Sequence, residues 1–240
     1  MTMPPMPRLS VVLPCYNEAR GLRALVERYA AVRGDLDLEL VLVDNGSTDD
    51  TQAVLAEVLP AHPWARCHRV VVNRGYGDGI RQGLESATGE WLAWSHADLQ
   101  TDPADVIAAF RVLVAQPDPA RTLVKGHRHG RALAERVITW GMEIMALALL
   151  HRRMTEINAQ PKVFHRSLLD VVGRTPDDFN FDVCVLHRAL LAGWSVRTIP
   201  VRFPPRQYGH SNWSRTFASR WRTIRRSMLF MARLGQGRWP

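Results

Sequence analysis

LSVVLP at 9–14, LELVLVD at 38–44, CHRVVV at 67–72, EWLAWS at 90–95 and TLVK at 122–125 form a series of short runs rich in Val and Leu. Continuous apolar runs of this length suit strands buried on both faces, as in a parallel sheet covered by helices. Amphipathic stretches separate them, one from Glu18 to Val32 and another beginning near Asp49. The alternation predicts an α/β fold with a mostly parallel central sheet and helices on both faces. Outward from this core, the second half is less regular. It reads as a helix over about 131–153, a short strand near 161–164, a helix over roughly 179–192, the strand SVRTIPVRF at 195–203, and a long C-terminal helix. No repeat or low-complexity linker appears, so one domain is expected over 1–212, followed by a basic helix over 213–240. The order of the strands is not readable.

The 240 residues are 46% hydrophobic and 22% charged, which excludes a disordered or fibrous chain. The most apolar run, Val137 to Leu150, has 14 residues and includes Glu143. A spanning helix needs about 20, so none is expected. The opening MTMPPMPRLS lacks the apolar stretch of a secretory leader. Cys15, Cys67 and Cys184 are widely spaced and odd in number, fitting neither a disulfide framework nor a zinc site. A reducing, cytoplasmic setting follows. The net charge of +8 is unevenly placed: after Asp182 there are eleven arginines and no acidic residue. Such a tail seeks phosphate, whether on nucleic acid, an anionic lipid or a phosphorylated substrate.

In parallel sheets, ligands sit where loops leave the carboxyl ends of strands. The first run ends in Pro14-Cys15-Tyr16-Asn17-Glu18 and the second in Asp44-Asn45-Gly46-Ser47-Thr48-Asp49. An acidic residue at a strand tip can accept hydrogen bonds from a ribose or base, although D-N-G-S-T-D is equally a good turn and helix cap. The third run leads to Asn73-Arg74-Gly75-Tyr76-Gly77-Asp78-Gly79, a turn that permits close backbone approach to a ligand. Its G-x-G-x-G spacing is not the dinucleotide fingerprint. The fourth leads to His96-Ala97-Asp98-Leu99-Gln100-Thr101-Asp102-Pro103. Residues 96, 98 and 100 project to one side of an extended segment, so imidazole, carboxylate and amide can share a divalent cation.

These segments, in this order, resemble family 2 glycosyltransferases, nearest to the polyprenyl-phosphate (dolichol-phosphate mannose synthase-like) branch, over about Leu9 to Trp213. The resemblance implies the GT-A fold. It places Pro14, Tyr16, Asn17, Glu18, Asp44 and Asn45 around the nucleotide, with Gly75, Ala97 and Lys162 also in contact with the nucleotide-sugar. It assigns Asp98 and Gln100 to a Mg or Mn ion and the diphosphate. His96 stands where the family has the first aspartate of D-x-D; it either joins the metal or contacts the sugar. Lys125-Gly126-His127-Arg128 resembles a G-S-R segment whose arginine offsets phosphate charge, and Arg131 is a second candidate. Arg206 and Ser211 match a phosphate-closing loop in which Asn212 replaces a lysine. Ile157–Phe164 takes the place of a D-x-x-S-G segment, with Asn158 at the expected aspartate.

An amide cannot act as a base, and a lipid phosphate needs none. The expected reaction is therefore inverting transfer from a nucleotide-sugar to a polyprenyl phosphate, with Asp98, Arg128 and Arg206 carrying catalysis. One rival is a sugar-hydroxyl acceptor, with Asp177, Asp178 or Asp182 as base. A nucleic-acid module using the tail is another, although no stacking or helix-turn-helix signature supports it and no nucleic-acid partner is expected. A third is a non-catalytic nucleotide-sugar binder. Trp213, Phe217, Trp221, Ile224, Met228 and Met231 recur at helical spacing opposite several arginines. That pattern suits a peripheral contact with the inner membrane face, or packing on the domain itself. The oligomeric state is not readable.

Overall fold

The computed structural model describes residues 9–204 and 217–239. The elements run β1 (Leu9–Cys15), α1 (Ala19–Arg33), β2 (Leu38–Asn45), α2 (Thr51–Val58), β3 (Ala65–Val70), α3 (Tyr76–Ser86), β4 (Trp91–Trp94) and α4 (Pro103–Val114). They continue with β5 (Thr122–His129), α5 (Leu133–Leu150), β6 (Lys162–His165), α6 (Leu168–Val172), α7 (Phe181–Leu191), β7 (Ser195–Arg202) and α8 (Phe217–Gly235). The seven strands form one sheet in the order β3-β2-β1-β4-β6-β5-β7. Every pairing is parallel except those of β6, which runs antiparallel to both β4 and β5.

Alternate strand residues feed two apolar layers. Val11, Leu13, Leu40 and Leu42 pack with Leu22, Leu25, Val106 and Phe110 from α1 and α4. On the other face, Val12, Val41, Val43 and Trp94 pack with Ile80, Leu84, Phe181 and Met231 from α3, α7 and α8. With both faces covered, the strands can be apolar throughout, which is why β1 and β2 read as unbroken runs rather than alternations.

At the amino ends of the strands, the Glu39 carboxylate accepts hydrogen bonds from the Ser10 hydroxyl, the Thr88 N–H at 2.8 Å and the Arg66 Nε at 2.7 Å. Burial pushes this carboxyl up, but those hydrogen bonds outweigh it and hold its pKa below the ordinary value. All three cysteines are free thiols.

α8 does not present the face expected of it. Ser227, Phe230, Met231 and Leu234 are buried, while Trp221, Met228 and Leu229 are exposed. The helix lies along α5, and Gly235 fits where a Cβ would strike the Leu149 carbonyl. A stripe at 221, 224, 228 and 231 is therefore divided between core and solvent. Packing on α5 selects the 227–231–234 line instead. No helix among the described residues is long and apolar enough to cross a membrane.

Candidate active site

β1, β2, β4 and β5 all point the same way, so the segments after Cys15, Asn45, Trp94 and His129 emerge along one edge of the sheet. Because β6 is reversed, its beginning, Lys162, lies at that edge too. Strands stand about 4.8 Å apart, so Asp44 on β2 and Arg128 on β5, four places along, bracket a span of roughly 19 Å.

At one end of the span, the loops after β1 and β2 are laced together. Asn17, at a left-handed φ of 58°, accepts the Thr48 N–H at 2.8 Å with its Oδ1, and its own N–H donates to the Ser47 hydroxyl at 3.1 Å. The Glu18 N–H donates to Thr51 Oγ1 at 3.0 Å, and the Ala19 N–H to Asp49 Oδ2 at 3.3 Å. Asp49 also accepts the Thr51 N–H at 3.0 Å, so one carboxylate serves the starts of both α1 and α2. Asp44 is buried and accepts the Ser47 N–H at 3.0 Å, which fixes the turn. Pro14 is half-buried, and Tyr16 is exposed at the strand tip.

Two residues expected to contact the ligand also serve the fold. Asn45 is buried, and its amide donates to the Gly75 carbonyl at 2.9 Å, bracing the glycine turn. The glycine turn in its place admits neighbouring chain. A Cβ on Gly75 would strike the Asp177 carbonyl, and one on Gly77 the Pro176 carbonyl, so the glycines admit the protein's own 176–178 segment.

In mid-span, His96 lies between the rings of Tyr76 (centroids 6.3 Å apart) and Phe203 (6.2 Å), and Tyr76 stacks on Phe179 at 5.2 Å. Ala97 is buried behind it. Burial pushes the His96 imidazole below its usual pKa. Asp98 and Asp182 pull it up, and Lys162 and Arg128 push it down again. The ring is therefore neutral near pH 7, with Asp98, Asp182, Lys162 and Arg128 all close enough to influence it. Asp98 Oδ1 accepts the Gln100 N–H at 3.1 Å, and the Gln100 side-chain amide donates to the Pro204 carbonyl at 2.9 Å.

Beneath them, Lys162 is fully buried, which corrects its expected contact with the nucleotide-sugar. Its ammonium donates to Asp182 and, at 3.1 Å, to the Ala159 carbonyl, and it lies 5.3 Å from the Trp94 ring centre. The Gln160 amide donates to the Tyr76 hydroxyl at 3.0 Å and to Asp182 at 3.1 Å. This buried network supports the aromatic shelf from below. Of the alternative bases, Asp182 is paired with Lys162 inside this network, whereas Asp178 lies outside it, accepting from Asn180 and meeting Arg226 at 2.9 Å.

At the far end, Arg128 donates from Nε to Glu156 Oε2 at 2.7 Å, and Arg131 donates to Glu156 Oε1. The resemblance expects a carboxylate at the position of Asn158; the structure has it two residues earlier, at Glu156. Its only sequence signal was being the one acidic residue between α5 and β6. Arg206 and Ser211 lie outside the described residues.

Asp44, Asp98 and Arg128 thus share one edge of the sheet. Residues 10–171 match the model of the glycosyl transferase family 2. The chain belongs to that family.

An uncharacterized glycosyltransferase of Mycobacterium tuberculosis is 31% identical over 211 residues, covering 85% of this chain and 88% of that protein. An undecaprenyl-phosphate 4-deoxy-4-formamido-L-arabinose transferase of Sodalis glossinidius is 29% identical over 220 residues, covering 86% of this chain. The chain spans 63% of that relative's length.

Among solved structures, the fold is similar to that of glucosyl-3-phosphoglycerate synthase from Mycobacterium tuberculosis in complex with Mn2+, UDP and phosphoglyceric acid. The TM-score is 0.72 at 18% identity, over 95% of this chain and 78% of that one. A mannosyltransferase from Pyrobaculum calidifontis in complex with GDP-Man and Mn2+ gives 0.67 at 21% identity, over 98% of this chain and 65% of that one. The fold of this family 2 member is GT-A, as the motif order implied.

Proposed function

We propose that this glycosyltransferase moves a sugar from a nucleotide-sugar to a polyprenyl phosphate at a membrane surface, with inversion at the anomeric carbon. The observation that carries this reading is the placement of α5. The helix begins at Leu133, five residues after Arg128 and two after Arg131, and its outer face exposes Leu133, Val137, Trp140, Ile144 and Leu147. Cations beside a bare apolar face suit an acceptor with a phosphate head and a hydrocarbon chain. Exposed Trp221, Met228 and Leu229 of α8, with Arg222 and Arg225 beside them, extend the same chemistry. The similarity to an undecaprenyl-phosphate sugar transferase supports the reading.

The 14–18 and 44–51 loops hold the nucleoside, and the Asp98 region holds the diphosphate. A phosphate oxygen of the acceptor attacks the anomeric carbon, forming the new C–O bond. The bond to the donor diphosphate breaks, and its electron pair leaves with the nucleoside diphosphate. The attacking oxygen is already anionic, so no side chain need remove a proton. Arg128 stabilises the departing charge.

The donor set at the strand end fits a divalent cation in part. His96, Asp98 and Gln100 offer one imidazole, one carboxylate and one amide, and no group of three His, Cys, Asp or Glu among the described residues can hold a metal alone. Diphosphate oxygens would complete the shell. When bound, the ion neutralises charge on the leaving diphosphate.

The test is turnover by the purified chain with undecaprenyl phosphate, Mn2+ and a panel of UDP-, GDP- and dTDP-sugars. Formation of a lipid-linked sugar is expected, reduced about a hundredfold or more in Asp98→Asn. Transfer only to a free sugar hydroxyl would overturn the proposal.

A further inference from the structure

Glu156 is held from four directions. Its carboxylate receives Arg128 Nε at 2.7 Å and an Arg131 terminal nitrogen, its N–H donates to Glu143 Oε1 at 2.7 Å, and its carbonyl accepts from Lys125 Nζ at 2.9 Å. Both arginine side chains are largely buried, at 13% and 6% exposure, against 8% for Glu156. Arg131 is fixed further by donating to Thr139 Oγ1 at 2.8 Å, and the Arg128 guanidinium lies 5.6 Å from the Phe203 ring centre. Two largely buried guanidiniums share this one carboxylate at hydrogen-bond distance, with the Glu143 and Glu135 carboxylates also near Arg131, an arrangement that is costly unless each buried nitrogen meets an acceptor. A second observation points the same way: Arg131 Nε is buried with no hydrogen-bond partner. Among the described residues Arg128 is gripped through Nε alone, which leaves its terminal nitrogens for a second anion, as a guanidinium can take a phosphate through two nitrogens.

We infer that Glu156 is a positioning residue that holds Arg128 and Arg131 as a fixed pair for a substrate phosphate. The inference rests on the reading of Arg128 above and adds to it a partner and a sign. If the carboxylate acted only through its charge, removing it would leave the pair more cationic and tighten phosphate binding. If it acts by holding the pair in place, removing it weakens binding. Glu143, the single charge within the apolar 137–150 run, thereby gains a role: it anchors the backbone of Glu156.

The phosphate can belong to the donor or to the acceptor, and two measurements on the full chain separate them. One is calorimetric affinity for UDP, GDP, CDP and dTDP with Mn2+; the other is KM and kcat for undecaprenyl phosphate. Glu156→Gln is expected to weaken one arm about tenfold or more, with kcat changed less, and Glu156→Asp to recover most of that loss. Arg128→Met is expected to weaken the same arm. Tighter binding in Glu156→Gln, or both arms unchanged while Arg128→Met weakens one, overturns the positioning role and leaves the Arg128 reading intact. Both arms unchanged in Arg128→Met overturns that reading itself. If Glu156→Gln does not fold, Arg131→Gln decides: a loss of about tenfold on the Arg128 arm supports the fixed pair, and no loss overturns it.

Discussion

His96 is the residue whose chemistry departs most from the family pattern. Held between Tyr76 and Phe203 and kept neutral by burial, it brings an imidazole where the resemblance expects a carboxylate. Mg2+ prefers oxygen ligands, whereas Mn2+ accepts imidazole. His96→Asp is therefore expected to raise turnover with Mg2+ relative to Mn2+ by several-fold, read as the ratio of initial rates with each ion. A ratio unchanged by the substitution would place the ring on the sugar rather than the metal. At this scale the sequence was a good guide to which residues share the edge and a poor one to which way they face. Asp44, His96 and Asp98 follow buried strands, so their positions were fixed by pattern. Asn45 closes the same strand as Asp44 and Lys162 opens β6 at the same edge, yet one braces Gly75 and the other pairs with Asp182. Orientation depends on neighbours distant in sequence, 30 residues away for Asn45 and 20 for Lys162.

Between elements, two buried ion networks tie the sheet to its helices. Lys162 and Asp182 are almost wholly buried, at 0% and 2% exposure, and join β6 to α7. Lys162→Met removes one partner and leaves a carboxylate stranded, at a cost of about 3–5 kcal/mol. Lys162→Met combined with Asp182→Leu should cost less than the single change, as urea denaturation of both variants will show. At the opposite edge, Glu39 has a folded pKa below its unfolded value. It therefore stabilises the fold above the unfolded value and loses that contribution as pH falls through the folded one. Glu39→Gln is expected to lower the Tm at pH 7 and to flatten the decline of Tm below about pH 4.3. The elements themselves were largely legible, from Leu9 through Arg202, because each strand is a local run of Val and Leu. Strand order and the reversal of β6 were not, since pairing across the sheet leaves no local trace. The α8 face was misjudged for a related reason: a helix with apolar residues on more than one side packs according to its neighbour, here α5.

For the molecule as a whole, the proposed membrane contact makes a prediction that deletion cannot test. Removing 213–240 would uncover the core around Met231, which is fully buried. Trp140 and Trp221 are 63% and 58% exposed, so replacing both with serine should leave Tm nearly unchanged. Burying an aromatic side chain of this kind is worth at least about 1.5 kcal/mol, so the pair should weaken sedimentation with phosphatidylglycerol vesicles by tenfold or more, roughly. Unaltered sedimentation would assign the exposed face to another role.

The reversed strand divides the chemistry between two kinds of chain segment. Nucleotide-side residues leave the sheet on outgoing loops, after β1, β2 and β4, whereas Glu156 and Gln160 arrive on an incoming one, ahead of β6. The 151–161 connector is accordingly bound to both halves of the cleft, through Gln160 to Tyr76 and Asp182 and through Glu156 to Arg128, so a change in its length would disturb the aromatic shelf and the arginine pair together.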